Sequence, residues 1–506
     1  MAQQLQNITV AAPGFFGLNT EDSPIGGNPS FASIADNCVI DKLGRIGARE
    51  GWEEVSTNGS SVLGTSRGIE GIFEFIANDG TKTVFSVGNN KIFTGTTTLT
   101  EVTLPVGYSI TANNWKIVSF NNNCVFFQRG HHPLASVAGS TTLVEIEDGG
   151  HNAPFGNEAL AAYGRLWAAD LTGNKHTVYW TAPLIYDDWH GAGSGSLDLS
   201  LVWPSGFDEV VSLAAHNGFL IIYGKKSIVV YSGASSPDTM TLADTVEGVG
   251  CIARDSVQHT GKDILFLSDT GVRSFARVIQ EKSLPMRDIS KNVRTDLMSL
   301  VALETNPIKS VYSSDNAFYV LSLPDSNTAY CFDMRTPLED GSQRATTWSS
   351  LYPLSFNVLE DGTILIGKKD GIVKYSGYLD GTEKYEMRYF SNPLDFGNTS
   401  NLKFLKKFNL TIIGGQSTPT TLNWGYDYAQ KYTKQAFIFG AGTLAEYGIT
   451  EYNTTGEYTS SILINTPKVN TSGSGEVVTI GLEAEINDAA FSIQKIDIHA
   501  LLGRLI

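Results

Sequence analysis

No apolar run in the sequence approaches the roughly 20 residues that a membrane span requires, so insertion into a bilayer is not expected. The opening, MAQQLQNITVAAPGFF, lacks a basic segment followed by a long apolar stretch, and no secretory signal is expected there. Charge is scarce: Lys, Arg, Asp and Glu make up 17% of 506 residues. The basic sign is the scarcer, 36 residues against 52 acidic, for a formal net charge of −16. Capture of nucleic acid needs clustered Lys and Arg, so that role is disfavoured. Cysteine is rare. Cys38, Cys124, Cys251 and Cys331 lie far apart without CxxC spacing, which argues against zinc. They read as buried, inert thiols from a reducing cytosol. No GxSxG, HExxH, P-loop or EF-hand pattern occurs, and neither a cofactor nor an enzymatic activity is expected.

What the sequence does have is glycine, at 51 residues, and an apolar content of 42%, enough for a proper core. The stretch Val210–Gly233, VVSLAAHNGFLIIYGKKSIVVYSG, is the pattern the rest repeats. Short β-branched and aromatic runs alternate with the turns His216-Asn217-Gly218 and Gly224-Lys225-Lys226-Ser227, which predicts an antiparallel meander. Similar units begin near residues 69, 115, 159, 210, 255, 309 and 354. A period of roughly 40–50 residues with three or four strands each is the signature of β-propeller blades. Seven blades are favoured, with six as the alternative. WD, kelch and Asp-box motifs are absent; the nearest fragment is Thr346-Thr347-Trp348.

The flanks differ. Residues 1–65 form an arm punctuated by Pro13, Gly14, Gly17, Pro24, Gly26, Gly27 and Pro29, in which Phe31–Ile40 reads as a helical turn followed by a strand. The propeller is assigned to 66–384. Beyond it, Leu405–Ile413, Ser460–Thr466, Glu476–Glu485 and Ala490–Ala500 alternate at period 2, so 385–506 is assigned to a C-terminal β domain. Arm and C-terminal segment together are expected to build a β-sandwich or barrel-like platform. The apolar tip IDIHALLGRLI should be tied down. One helix is predicted over Arg287–Thr305, where Ile289, Val293, Leu297 and Leu300 recur at helical spacing and Asp288 or Ser290 can cap the start. It should pack on the propeller rim, with a subunit contact as the alternative.

Few clusters suggest chemistry. Asp187, Asp188, His190 and Asp198 could supply a carboxylate pair or an oxygen-rich calcium site, against the reading of an ordinary surface turn. His131, His132 and His151 lack motif spacing for a metal and read as loop histidines. Asn423–Tyr432 (NWGYDYAQKY) offers rings for a sugar, against a half-buried hairpin.

The N-terminal segment GLNTEDSPIGGNPSFASIADNCVIDKLGRIGAREGWEEVS follows an extended Gly- and Pro-rich arm with a strand ending in Asn-hydrophobic, then Gly-x-hydrophobic-x-x-Arg-x-Gly-aromatic. Asn37, Val39, Gly44, Ile46, Arg49, Gly51 and Trp52 carry the pattern. In this it resembles the tail nozzle proteins of short-tailed bacteriophages, also called tail tubular protein B or tail stabilisation (accessory) proteins. Weaker matches are Gly164–Asp170, Gly218–Gly233, Val249–Val257, Ile264–Phe275 and Asp288–Val293. The resemblance implies a structural virion protein: a hexameric ring below the portal and head-to-tail adaptor, assembled in the host cytoplasm and carried in the tail. DNA would pass through without specific binding, and tail fibres or spikes would dock outside. Arg45, Arg49 and Trp52 are then the candidate assembly-contact residues. The alternative is a carbohydrate-binding or glycoside-hydrolysing propeller using Asp187, Asp188 and nearby aromatics. A third reading is a scaffold propeller of a cellular complex.

Overall fold

Asn and Gly set the first level of structure. The hairpin turns Asn89-Asn90, Asn121-Asn122 and Asn217-Gly218 have φ between 44° and 83° at both central residues. That is the turn hand that matches strand twist, and Asn and Gly adopt it at least cost. Short meanders result, and they stack radially into a β-propeller in the computed structural model, which describes residues 5–23, 27–64, 68–148, 151–204, 206–281, 288–428, 431–438 and 464–505.

Four blades follow one another as four-stranded sheets, beginning with the strands Ile69–Ile76, Lys116–Phe120, Gly156–Ala162 and Val210–His216. The next unit is smaller. Its sheet has three strands, Gln258–His259, Ile264–Ser268 and Gly271–Ser274, and runs straight into the helix Phe275–Glu281. Two more four-stranded blades begin with Lys309–Ser313 and Ser355–Val358. The full blades therefore number six, the lower of the two expected counts, with the three-stranded sheet between the fourth and fifth. In the unit expected to begin near residue 255, the first strand is only Gln258–His259, because Arg254–Ser256 forms a 3-10 turn.

Each blade is sealed to the next by side chains that interleave between sheets. Phe75, Phe85 and Phe126 join the first two blades, and Trp167, Trp180, Leu220 and Tyr231 the third and fourth. Burying each such side chain contributes roughly 1.5–3 kcal/mol. The ring closes through the arm: Trp52–Glu54 is the fourth strand of the last blade, with Tyr375 opposite Trp52 and Val373 opposite Glu54. The arm thus belongs partly to the propeller.

The platform is two sheets over one core. In the first, Phe491–Leu505 lies between Asn401–Gly414 and the arm strands Leu5–Ala11 and Ile46–Ala48, so the apolar C-terminal stretch is an interior strand. The second has ten strands. It starts as the blade Lys309–Ser313 to Arg344–Trp348 and continues through Gly17–Leu18, Phe31–Asp36, Tyr385–Ser391, Val478–Ile486 and Pro419–Tyr426 to Thr433–Ile438. Phe15, Tyr389, Phe408, Trp424, Ile480 and Ile493 fill the space between the sheets. Of the expected Ser460–Thr466 strand, residues 460–463 lie outside the described residues.

Two local expectations are corrected. Phe31–Asp36 is strand throughout, and the chain turns at Asn37, left-handed at φ 53°, where a helical turn was anticipated. The predicted helix is split into a 3-10 turn, Lys291–Val293, and the helix Arg294–Val301, while Arg287 lies outside the described residues. Neither start is capped by a side chain, since the Ser290 hydroxyl is spent on the Val272 N–H and Asp288 is buried beside Arg273. The helix packs Leu297 and Val301 into the core shared with the three-stranded sheet. Glu21 of the arm accepts a hydrogen bond from the Thr295 hydroxyl at 2.9 Å.

Candidate functional site

Three places bring polar chemistry together. The first is the joint between arm, last blades and platform. Arg49 is fully buried. Its Nη1 and Nη2 donate to both Asp380 oxygens at 2.8 and 2.7 Å, its Nε to Asn37 Oδ1 at 3.0 Å, and its Nη2 also to Ser350 Oγ at 2.6 Å. The guanidinium lies 4.3 Å from the Tyr385 ring centroid. Burial pulls the Arg49 pKa down, but the Asp380 partnership outweighs it and holds the group charged. Arg49 therefore ties the arm to 350, 380 and 385 within one chain, with no part of its side chain exposed. Arg45 is partly buried, 2.5 Å from Asp41 with 17% of its side chain exposed. Trp52 is partly exposed, with Lys368 Nζ 4.0 Å above its ring.

The second place is the propeller axis, where the innermost strands converge. Three cations, Lys116, Arg254 and Lys309, meet two anions, Glu158 and Asp255. Arg254 Nη2 and Lys309 Nζ each lie 2.8 Å from Asp255 Oδ2. Lys116 Nζ is 3.5 Å and Arg254 Nε 3.9 Å from Glu158 Oε2. Burial raises the Asp255 carboxyl, but Arg254, Lys309 and Lys116 outweigh it and hold it well below the usual carboxylate range. Glu158 goes the other way, raised by burial more than Lys116 and Arg254 lower it. The sequence flagged none of these five as a site. Their only signal was a charge at the start of an inner strand, as at Lys116 and Lys309.

The third place is the mouth of that axis, a cavity of about 830 Å³. Trp52, Tyr352 and Lys368 line one part of it and are shared with a second cavity of about 460 Å³ toward the platform. Asn113, Asn114 and Gln128 line another part. Lys368 Nζ donates to the Leu351 carbonyl at 2.8 Å. Burial brings its pKa down to about 8, with Asp380 opposing.

The expected acidic loop is turn chemistry. Asp188 Oδ1 accepts the Gly191 N–H at 2.7 Å, and Asp198 Oδ1 accepts the Ser200 N–H at 2.8 Å. Trp189 is buried edge-on to Phe127, whereas His190 is exposed. His131 stacks near Trp115 and His132 sits 3.0 Å from Glu145, while the side chain of His151 lies outside the described residues. No group of three His, Cys, Asp or Glu placed to hold a metal occurs among the described residues. The four cysteines are buried and free, and burial raises each thiol. Asn423–Tyr426 belongs to a hairpin with Trp424 buried and Tyr428 exposed, and Ala429 and Gln430 lie outside the described residues.

Fold and sites together define the class: an all-β protein whose propeller is joined to a two-sheet platform. No family model and no curated protein matches the chain. Among solved structures it is similar to an extracellular domain from B. thetaiotaomicron assigned to a one component system, at 10% identity and TM-score 0.42, covering 70% of this chain and 46% of that one. It is similar to the WD40 domain of Neurospora crassa Pan2, at 8% identity and TM-score 0.37, covering 64% and 95%. A third is YCF48 bound to D1 peptide, at 10% identity and TM-score 0.37, covering 65% and 97%. The chain spans less than half the length of the first of these. Likenesses this distant bear on the fold alone and carry no argument about function.

Proposed function

We propose that the chain is a structural subunit of the tail nozzle of a short-tailed bacteriophage, without catalytic activity. The observation that carries this reading is the Arg49 joint. The N-terminal pattern has a physical need at its key positions: Asn37 takes φ 53°, Gly44 takes φ 72°, and Gly51 has no room for a side chain. Arg49 locks arm, propeller and platform into one body. Such a body suits a part that must transmit load and present large surfaces to copies of itself.

On this reading the subunits form a hexameric ring. DNA would run through the lumen between them, because ion-paired side chains of Lys116, Arg254, Asp255 and Lys309 cross each propeller's own axis. A net charge of −16 gives little hold on phosphate. The adaptor and the fibres or spikes would dock on the outer surfaces, after assembly in the host cytoplasm and within the virion tail. Negative-stain imaging and sedimentation of the purified chain, alone and mixed with the head-to-tail adaptor, test the reading. Closed hexameric rings, and the chain detected by mass spectrometry in purified virions, are expected. A monomer under both conditions and absence from virions would overturn it.

A further inference from the structure

The mouth cavity is rich in hydrogen-bond donors, and the reason lies in what its amides already do. Asn114 Oδ1 accepts from Arg254 Nη2 at 2.7 Å and Lys309 Nζ at 2.5 Å. Gln128 Oε1 accepts the Arg129 N–H at 2.9 Å, and Asn113 Oδ1 the Asn90 N–H at 2.6 Å. An amide has one oxygen and one NH2. In all three the oxygen is engaged inside the chain; buried Asn113 also donates its NH2 to Glu70 Oε1 at 3.4 Å, so the NH2 groups of Asn114 and Gln128 are the ends left for a guest. The axial cations thus fix which way Asn114 faces.

Further donors stand alongside. The Trp52 indole N–H is buried and has no acceptor among the described residues. Lys309, Lys368 and Lys369 border the same space, against the carboxylates Glu70 and Asp370. Lys309 is already paired with Asp255, but mouth and axis taken together hold five cations, Lys116, Arg254, Lys309, Lys368 and Lys369, against the four carboxylates Glu70, Glu158, Asp255 and Asp370, a local excess of one in a protein of net charge −16. A matching guest is rich in acceptors and negatively charged.

The remaining wall is aromatic and stiff. Tyr352 is 49% exposed with φ at 50°, a backbone region that a bulky side chain rarely adopts and that gathers at functional sites. Pro307 and Pro324 line the same cavity. A half-exposed ring beside fixed polar groups receives the C–H face of a sugar ring. The volume suits roughly two or three pyranose rings, within the usual span of ligand pockets.

We propose that the propeller mouth binds an acidic oligosaccharide, with one pyranose ring stacked on Tyr352 and its carboxylate and hydroxyl oxygens received by the amides of Asn114 and Gln128. This site is separate from the Asp187–Asp198 loop and does not depend on the nozzle reading.

Isothermal titration calorimetry of the full chain against oligogalacturonates, their neutral galactan counterparts and an oligoglutamate peptide tests it. Sub-millimolar binding of the uronate oligomers is expected, with neutral oligomers and the peptide weaker by about tenfold or more. Tyr352→Asn removes the ring yet keeps a residue that accepts φ near 50°, and should weaken binding by about tenfold, the scale of one aromatic contact. Asn114→Asp turns a donor into a carboxylate while keeping partners for Arg254 and Lys309, and should abolish binding of the uronate. Asp187→Asn should change nothing. Unchanged thermal unfolding of the two mouth variants excludes misfolding as the cause. No binding of the uronates, equal or tighter binding of neutral oligomers or peptide, or indifference to both mouth variants would overturn the proposal.

Discussion

Arg49 and Asp255 show how a charge is held inside this chain. Arg49 is enclosed, and every bond it makes is internal. Arg49→Ala would leave Asp380 as an uncompensated buried carboxylate, at a cost of about 3–5 kcal/mol. Urea unfolding should register that loss, and Arg49→Lys should recover only part of it, since an ammonium cannot grip both carboxylate oxygens in one plane. Asp255 makes stability depend on pH. Its folded pKa lies below its unfolded value, so its contribution is present above about pH 4 and is lost as pH falls below that. Asp255→Asn should therefore destabilise the protein at pH 7, with the gap to the unaltered chain closing in acid. A gap that stays constant from pH 7 to pH 3 in chemical unfolding would contradict this. At this scale the sequence singled out Arg45, Arg49 and Trp52 as candidate assembly contacts but gave no sign that Arg49 is fully enclosed. A string of residues carries no information on which way a long side chain turns, and Arg49 finds its partner 331 positions away.

Strands and turns were the most legible elements. Apolar runs broken by turn residues such as Asn217-Gly218 specify a hairpin locally, which is why Val210–His216, Phe219–Gly224 and Ser227–Ser232 form the meander the pattern placed there. The failures are elements shaped by distant contacts. Arg254–Ser256 curls into a 3-10 turn, with Arg254 reaching Asn114 and Asn157 at the axis. Ser290 gives its hydroxyl to another strand rather than to its own helix. The closing strand Trp52–Glu54 supplies the test at this scale. A Cβ on Gly51 would fall 1.8 Å from the Leu379 carbonyl oxygen, against backbone that cannot move without breaking the Trp52 N–H bond to the same oxygen. Gly51→Ala should cost about 3 kcal/mol or more, at the upper end for overpacking, and lower the thermal midpoint by several degrees. An unchanged midpoint would mean the ring does not depend on this closure.

At the scale of the molecule, propeller and platform are not separable along the chain. One ten-stranded sheet begins as a blade and ends in the platform, and one core runs from Leu265 and Tyr319 to Ile480 and Ile498. The proposed ring would therefore be built from stiff subunits. Arg49→Ala is expected to lower the yield and stability of subunits without altering the number per ring of the proposed assembly, because Arg49 is enclosed within its own chain. A changed ring size in that variant would place a subunit boundary at this joint.

The sequence by itself determined that the chain is all-β, that repeated meanders form its centre and that both ends belong to a second β layer. Those features follow from local patterning, in which side-chain period and turn residues decide each hairpin with little help from afar. Only the tertiary structure decided that six units are full blades, that the arm closes the ring, and that charges from four units meet at the axis to orient Asn114. Each of these depends on groups brought together from distant parts of the chain, and their burial and pairing are energies no local window contains.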